Sequence, residues 1–257
     1  MEILAAFILF LTGLSFGSFL NVVADRVPRR KSIVSPPSHC FHCGHPLGAG
    51  DLIPVVSYIS LRGKCRYCGG AIPARSLAIE LITGIAFALA WIVIGAQWQL
   101  LFVLVYFCIL IVLSINDLEN GFLNRRLIYP SVGVVVVITL VKAILGLQPD
   151  IISAGLGFAS GFGFFLIIWY IVRIFKREAM GFGDVVAAGL IGIIVGFPLI
   201  VAAICLAVAT GGAAIVVLLI FRIKKVFEPV PITLFLAVGA MATLLWGSQL
   251  FAMIHFI

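Results

Sequence analysis

The chain has 257 residues, 63% of them hydrophobic and 11% charged, with a mean hydropathy of +1.26. A water-soluble globule of this length needs far more polar surface, so the composition excludes one and predicts an integral membrane protein. The formal net charge of +7 indicates membrane topology and contact with the lipid bilayer rather than a nucleic-acid partner, because aromatic or base-reading residues do not accompany the basic ones.

About eight apolar segments have the length that a helix needs to cross ~30 Å of hydrocarbon, although the sixth is short. The predicted fold class is therefore an all-α polytopic membrane protein. No basic residue precedes the first segment, so we expect it to remain as a helix and not to be a cleaved signal peptide. In chain order the segments are 3–23, 77–95, 100–115, 128–147, 152–172, 184–197, 199–221 and 232–254.

The expected organisation has three parts. A first transmembrane helix covers 1–23, a polar loop covers 24–76, and a helical bundle covers 77–257. If the helices alternate in direction, all 17 lysines and arginines except Lys142 fall in connections on one side of the membrane. The positive-inside rule then places those connections in the cytoplasm and both termini outside.

The polar loop contains two Cys-x-x-Cys pairs, Cys40 with Cys43 and Cys65 with Cys68. Two such pairs at this separation predict a four-thiolate zinc site, because each pair supplies two corners of a tetrahedron. Disulfides are the alternative, but the predicted cytoplasmic location is reducing. A loop with so few large apolar residues is expected to depend on the metal for folding. Three nearby histidines are alternative ligands: His39, His42 and His45.

Two aspartates adjoin apolar segments. Asp117 ends one segment, and Asp184 begins another, directly after Gly181-Phe182-Gly183. Taken singly, Asp117 is explained as a polar helix stop and Asp184 as a helix N-cap. On the predicted topology, however, both lie at the cytoplasmic membrane edge, where ionisable groups are costly and usually functional.

An aspartyl protease uses two carboxylates that share a proton. One takes a proton from water while the other polarises the scissile carbonyl. We expect Asp184, at a helix N-terminus, to be the ionised partner and Asp117 the protonated one. Gly181 and Gly183 are expected to shape the site by letting backbone approach an extended substrate.

The ordered motifs resemble those of the bacterial type IV prepilin peptidases, a family of membrane aspartyl proteases. We expect an active enzyme with altered substrate handling, because both aspartates are present while three elements depart from the usual pattern. After the first aspartate the usual sequence is Leu-Pro-Asn, but here Leu123 is followed by Asn124. Val186 stands in place of a lysine, and Ile232-Thr233-Leu234 stands in place of Phe-Gly-Pro. The resemblance runs through Gly17-Ser18-Phe19-Leu20-Asn21-Val22, Arg26-Val27-Pro28, both cysteine pairs, Asp51-Leu52-Ile53-Pro54, Ser57-Tyr58, Leu61-Arg62-Gly63, Glu80, Asp117-Leu118 and Gly181-Phe182-Gly183-Asp184.

The resemblance implies an enzyme of the bacterial inner membrane that removes the short basic leader of type IV prepilins or type II secretion pseudopilins. Cleavage follows a glycine at the cytoplasmic face. Many such enzymes then N-methylate the new N-terminal residue with S-adenosylmethionine. Transferred residue by residue, catalysis falls to Asp117 and Asp184, and zinc binding falls to the four cysteines. The methyl-transfer region is the polar loop with its flanking helices. The predicted cofactor-binding residues are Asn21, Asp51 and Glu80, which loop capping and helix packing explain equally well.

A basic leader has to approach a basic protein face, so local acids have to offset the repulsion. Glu119 and Glu178 adjoin the two aspartate motifs and are predicted to contact the leader. Ion pairs with Arg125, Lys176 or Arg177 are the alternative role of these glutamates.

Two other functions fit an aspartate pair in a membrane. One is an intramembrane protease of the presenilin or signal-peptide-peptidase type, which would have no need of the cysteine loop. The other is a proton-coupled transporter, which would take up a solute and yield no cleaved product. The oligomeric state is left open by the sequence.

Overall fold

The computed structural model of the protein describes residues 2–175, 180–221 and 231–254. Over these ranges the backbone forms helices and loops and contains no strand, so the predicted all-α fold class is confirmed. The α-helices, in chain order, are α1 (Glu2–Arg26), α2 (Val56–Ser60), α3 (Ala74–Ile94), α4 (Trp98–Asn120), α5 (Arg125–Ile144), α6 (Ile151–Phe175), α7 (Phe182–Val195), α8 (Leu199–Ile220) and α9 (Ile232–Ile254).

Each of the eight apolar segments predicted from the sequence forms a helix. Among the described residues, six helices are long and apolar enough to cross a membrane, namely α1, α3, α4, α5, α6 and α8. Helix α7, with 14 residues, and the apolar part of α9, Ile232–Gly247, are shorter. The chain is therefore a multi-pass membrane protein.

The chain divides into two compact units, Met1–Val112 and Leu113–Ile257. In the first unit α1 packs along α3 through glycines. A Cβ at Gly13 would lie 2.7 Å from the carbonyl oxygen of Thr83, and a Cβ at Gly17 would lie 2.7 Å from Cα of Glu80. Glycine thus lets the two backbones approach closely, which maximises van der Waals contact in a membrane. The three-part organisation expected from the sequence stays a prediction.

In the second unit the short helix α7 is surrounded by other helices. Ten of its 14 residues are buried, and it packs against α5, α6, α8 and α9. Because 14 residues are too few to cross ~30 Å of hydrocarbon, contact with the surrounding helices explains how so short a helix persists in this protein. Asp184 lies in the first turn of α7, so the packing of this helix also holds that carboxylate in place.

Helices α6 and α7 meet at a contact between two glycines. Gly157 of α6 lies so close to the carbonyl oxygen of Gly192 that a Cβ at Gly157 would overlap it. One turn further along α6, a Cβ at Gly161 would lie 2.6 Å from the carbonyl oxygen of Ala188. The position of α7 therefore depends on the absence of side chains along this face of α6.

Gly157→Ala is expected to lower the free energy of unfolding by about 1–3 kcal/mol, because α6 and α7 have to separate to admit the methyl group. Gly155→Ala on the same helix is the matched control, since a Cβ there meets no atom within 4 Å. Thermal unfolding of the purified protein in detergent measures both. Equal unfolding temperatures for the two variants would contradict the close contact.

Candidate functional site

Asp117 and Asp184, predicted from the sequence as a pair, lie together in the second unit. Asp117 is in the last turn of α4 and 3% exposed, and Asp184 is in the first turn of α7 and 7% exposed. Both carboxylates accept a hydrogen bond from the same residue, Thr233, in the first turn of α9. The end of one helix and the starts of two others therefore meet at one point.

Thr233 contacts the two carboxylates with different groups. Its backbone N–H donates to Oδ2 of Asp117 and its hydroxyl donates to Oδ1 of Asp184, each over 3.0 Å. Thr233 itself is fully buried. Asp117 thus lies at the N-terminus of α9, just as Asp184 lies at the N-terminus of α7. The helix-terminus argument that selects Asp184 as the ionised partner applies to both residues and does not distinguish them.

The sequence around Asp117 folds the chain back onto α4. Gly121, with a φ of +68°, ends the helix, and its N–H donates to the carbonyl oxygen of Asp117 over 2.8 Å. The side chain of Asn116, 1% exposed, accepts a 2.8 Å bond from the N–H of Asn124. Asn124 in turn caps α5 by accepting from the N–H of Arg126. The departure from the usual family pattern at Asn124 is therefore the N-cap of α5 in this chain.

The two glycines before Asp184 have different surroundings. A Cβ at Gly183 would lie 2.7 Å from Cβ of Leu123, so the start of α7 contacts the α4–α5 connection only because this residue lacks a side chain. Gly181 is the N-cap of α7, and a Cβ there would meet no atom nearer than 3.7 Å. Between them, Phe182 packs edge-on against two aromatic rings of α6. Gly183 is thus required for packing, whereas a Cβ at Gly181 would make only ordinary van der Waals contacts.

The two glutamates predicted to contact a basic leader flank this site in sequence. Glu119 is exposed in the last turn of α4, two residues beyond Asp117. Glu178 lies outside the described residues. The helix end that carries Asp117 therefore also presents an acidic side chain at its surface.

The four cysteines of the polar loop form one cluster. Their sulfur atoms all lie within 4.8 Å of one another, and those of Cys40 and Cys68 are 3.8 Å apart. Cys65 is the one buried residue between Asp25 and Ala78. The loop has no hydrophobic core of its own, so the cluster fits a structural metal site that holds the two cysteine pairs together.

Both cysteine pairs form the same tight turn. The N–H of Gly44 donates to the carbonyl oxygen of Cys40, and the N–H of Gly69 donates to that of Cys65, both over 2.9 Å. The two glycines have φ values of +69° and +70°, which residues with a Cβ adopt only with strain. The backbone conformation of these turns therefore explains why a glycine follows each cysteine pair.

Backbone groups also prepare the first cysteine for metal binding. The N–H groups of Cys43 and His42 lower the pKa of the Cys40 thiol to about 6, and the thiolate is the form that binds metal. At Cys68 the Gly70 N–H also lowers the pKa, but burial and the three neighbouring sulfurs outweigh it and raise that pKa to about 11. The cluster itself consists of cysteines alone over the described residues. The ring of His45 instead stacks on Tyr67, with ring centroids 3.6 Å apart. The histidines are thus neighbours of the cluster and not part of it.

The three residues predicted to bind a methyl donor, Asn21, Asp51 and Glu80, line one cavity of about 250 Å³ in the first unit. Asn21 is 8% exposed, and its Nδ2 donates to the carbonyl oxygens of Gly17 and Ser76. Its Oδ1 has no hydrogen-bond partner among the residues that the structure describes. A buried acceptor without a donor costs about 1–3 kcal/mol, so this atom favours a ligand that brings an N–H or O–H group.

Asp51 and Glu80 also stabilise the wall of this cavity. Desolvation raises the pKa of Asp51, but hydrogen bonds from Arg66 Nε at 2.8 Å and the Gly48 N–H at 3.2 Å outweigh it and hold that pKa below its ordinary value. Glu80 Oε2 accepts from the N–H of Val55 over 2.8 Å. Val55 has a φ of +64°, a conformation that costs a β-branched residue about 1–3 kcal/mol. Stabilising the loop through these hydrogen bonds is therefore part of the role of both acids.

Thr233 and Asn116 are site residues that the motifs do not reveal. The one sequence signal for Thr233 is its place in the element that departs from the usual Phe-Gly-Pro. For Asn116 the signal is an amide side chain at the end of an apolar run, directly before Asp117. Thr233 acts through contacts with distant parts of the chain, which a local pattern does not encode, whereas Asn116 acts on the turn that follows it.

Two family models match the chain in succession. Residues 11–94 match the bacterial peptidase A24 N-terminal domain, and residues 104–247 match the type IV leader peptidase family. No solved structure matches the chain.

Curated relatives resemble nearly the whole chain. The prepilin leader peptidase/N-methyltransferase of Burkholderia pseudomallei (strain 1026b) is 31% identical over 272 residues, covering 94% of this chain and 85% of the relative. The protein of that name from Bacillus subtilis (strain 168) is 31% identical over 247 residues, covering 95% of each chain. The one from Myxococcus xanthus (strain DK1622) is 35% identical over 190 residues, covering 74% of this chain and 56% of the relative. This chain is therefore a membrane-embedded enzyme that belongs to the type IV leader peptidase family.

Proposed function

We propose that this enzyme removes the short basic leader of type IV prepilins or pseudopilins by aspartyl proteolysis, with Asp117 and Asp184 as the catalytic pair. The observation that carries the proposal is the meeting of two buried carboxylates at Thr233. Two acids linked through one residue, away from bulk water, do not readily both ionise, so one of them is protonated. One ionised and one protonated carboxylate is the state that acid–base hydrolysis of a peptide bond requires.

In the proposed reaction one carboxylate is ionised and the other protonated. The ionised group takes a proton from water as the water oxygen attacks the scissile carbonyl carbon, and the protonated group donates a hydrogen bond to the carbonyl oxygen. Transfer of a proton to the leaving amine then breaks the C–N bond and returns the pair to its starting state. No covalent intermediate with the enzyme is needed.

The substrate arrives from the cytoplasm in this proposal. The enzyme lies in the bacterial inner membrane with both termini outside and the active site at the cytoplasmic face, as the basic connections predict. Cleavage follows a glycine of the leader. Gly181 has no Cβ beside Asp184 at the start of α7 and is the place where substrate backbone approaches, while Glu119 and Glu178 contact the leader's cations.

A second activity, N-methylation of the new N-terminal residue, belongs to the cavity in the first unit. S-adenosylmethionine supplies a methyl group on a positively charged sulfur when bound. The buried Oδ1 of Asn21 has no partner among the described residues and is suited to accept a hydrogen bond from that ligand. Asp51, which pairs with Arg66, and Glu80 are also on the cavity wall and are the further candidates to contact that ligand.

The ion at the cysteine cluster is zinc in this proposal. Four Zn–S bonds of about 2.3 Å in a tetrahedron separate the sulfur atoms by about 3.8 Å, and the sulfurs of Cys40 and Cys68 are 3.8 Å apart. With four thiolates the protein supplies every ligand, which is the arrangement of structural zinc sites and leaves no open position for chemistry. The cluster thus maintains the loop and takes no part in hydrolysis.

Asp117→Asn and Asp184→Asn are each expected to lower kcat for prepilin cleavage by about 10⁴-fold or more, because an amide neither takes nor gives the proton. Both variants should remain folded and inserted. Asp150→Asn is the control, since Asp150 is an exposed residue at the start of α6 that caps the N–H of Ser153. Cleavage by purified protein, followed on gels, measures all three. Wild-type activity in either catalytic variant would remove that aspartate from the mechanism.

Asn21→Leu is expected to reduce methylation of a cleaved prepilin by about tenfold or more, because the buried acceptor is lost, and to leave cleavage within about 2-fold. Thr83→Val is the matched control, since Thr83 is fully buried on the adjacent α3 but does not line the cavity. Mass spectrometry of the product with and without S-adenosylmethionine reports the cut and the methyl group together. Unchanged methylation in Asn21→Leu would exclude this cavity as the cofactor site.

Metal analysis of the purified protein is expected to find about one zinc per chain, because one Cys₄ cluster holds one ion. Cys40→Ser or Cys68→Ser should lower the zinc content and reduce methyl transfer more than hydrolysis. Cys205→Ser provides the control, since Cys205 is an exposed thiol of α8 outside the cluster. Full zinc content in the two cluster variants would contradict the assignment.

A further inference from the structure

We propose that Thr233 is a positioning residue of the peptidase site, which fixes the two catalytic carboxylates relative to each other. The inference rests on the proposed function, because it assigns Asp117 and Asp184 to the reaction. Thr233 is the residue that hydrogen-bonds both of them, with its backbone N–H to one and its hydroxyl to the other. A single buried residue therefore links the two acids directly.

The hydroxyl of Thr233 behaves differently from that of every other threonine in the chain. In a helix interior a threonine hydroxyl normally donates to a carbonyl oxygen three or four residues earlier in its own helix. Thr233 is in the first turn of α9, where no such carbonyl precedes it, so its hydroxyl is available to Asp184. The other five threonines all follow the usual rule: Thr12, Thr83, Thr139, Thr210 and Thr243.

The bond from the hydroxyl is also a departure from the pattern that the chain otherwise resembles. Where Phe-Gly-Pro is usual, a glycine at the middle position would keep the N–H that donates to Asp117. It would have no hydroxyl for Asp184. In this chain the substitution to threonine therefore adds one donor to the pair and removes rotational freedom from Asp184.

Burial strengthens the effect of this bond. Thr233 is fully buried and the two aspartates are 3% and 7% exposed, so bulk water does not readily replace the hydroxyl as a donor. Reaction rates depend steeply on the alignment of catalytic groups, and small misplacements reduce kcat more than they reduce substrate binding. Loss of the hydroxyl should therefore appear in kcat and leave KM nearly unchanged.

The test compares three variants of the full-length protein in a prepilin cleavage assay. Thr233→Val removes the hydroxyl but keeps the shape and the backbone N–H, and Thr233→Ser keeps both donors. Thr243→Val is the matched control, because Thr243 is 2% exposed on the same helix and its hydroxyl donates to its own helix at Gly239. Rates are expressed per folded molecule, with the folded fraction measured by gel filtration, so a loss of stability does not obscure the comparison.

We expect Thr233→Val to lower kcat by about 10- to 100-fold with KM within about 2-fold of wild type. Thr233→Ser should retain kcat within about 3-fold, and Thr243→Val should resemble wild type. The inference is overturned if Thr233→Val keeps wild-type kcat, if Thr243→Val loses as much, or if serine does not rescue. Asp117→Asn and Asp184→Asn in the same assay separate the two levels. Activity in either aspartate variant would contradict the proposed function. Inactive aspartate variants together with a fully active Thr233→Val would contradict only the role of Thr233.

Discussion

The burial of two carboxylates beside each other is the constraint on which the second unit depends. A single buried carboxylate without partners costs several kcal/mol, and a second one nearby adds to that cost unless donors and a shared proton offset it. Thr233 supplies a donor to each acid. For one residue to reach both, the end of α4 and the starts of α7 and α9 have to converge. The glycine contacts between α6 and α7 and the capped turn after Asp117 bring these ends to their positions.

The first unit has to stabilise a different kind of segment. Its long polar loop buries one residue, Cys65, so hydrophobic burial contributes little to its folding. Two matching cysteine turns, the metal site that they form and hydrogen bonds that Asp51 and Glu80 accept hold it instead. These polar groups leave a cavity between the loop and helices α1 and α3, and Asn21, whose buried Oδ1 has no partner among the described residues, lines that same cavity. In the proposed function cleavage and methyl transfer use separate residues, which is why variants are expected to affect one without the other.

The parts of this structure that sequence predicts well are those encoded locally. Apolar runs of about 20 residues predict membrane helices, and the spacing of the cysteine pairs predicts their cluster. The meeting of Asp117 with Asp184 was predictable because the positions of the basic residues predict the same membrane face for both. The role of Thr233 was not, since a threonine at the start of an apolar helix has no local pattern that distinguishes it from a helix threonine. Gly183 shows the same limit. From the sequence, a small residue beside Asp184 suggests space for substrate, but in the folded protein Leu123 occupies that space.

The most direct measurement is the affinity of a prepilin peptide in which a non-cleavable hydroxyethylene group replaces the scissile bond. Such a group mimics the tetrahedral species between two carboxylates, and transition-state analogues bind at least about 100-fold more tightly than substrates. If Asp117 and Asp184 act together on the scissile bond, the wild-type enzyme should bind this peptide that much more tightly than an uncleaved substrate. Each single Asp→Asn variant should lose the advantage. Equally tight binding to wild type and to either variant would contradict a shared catalytic pair.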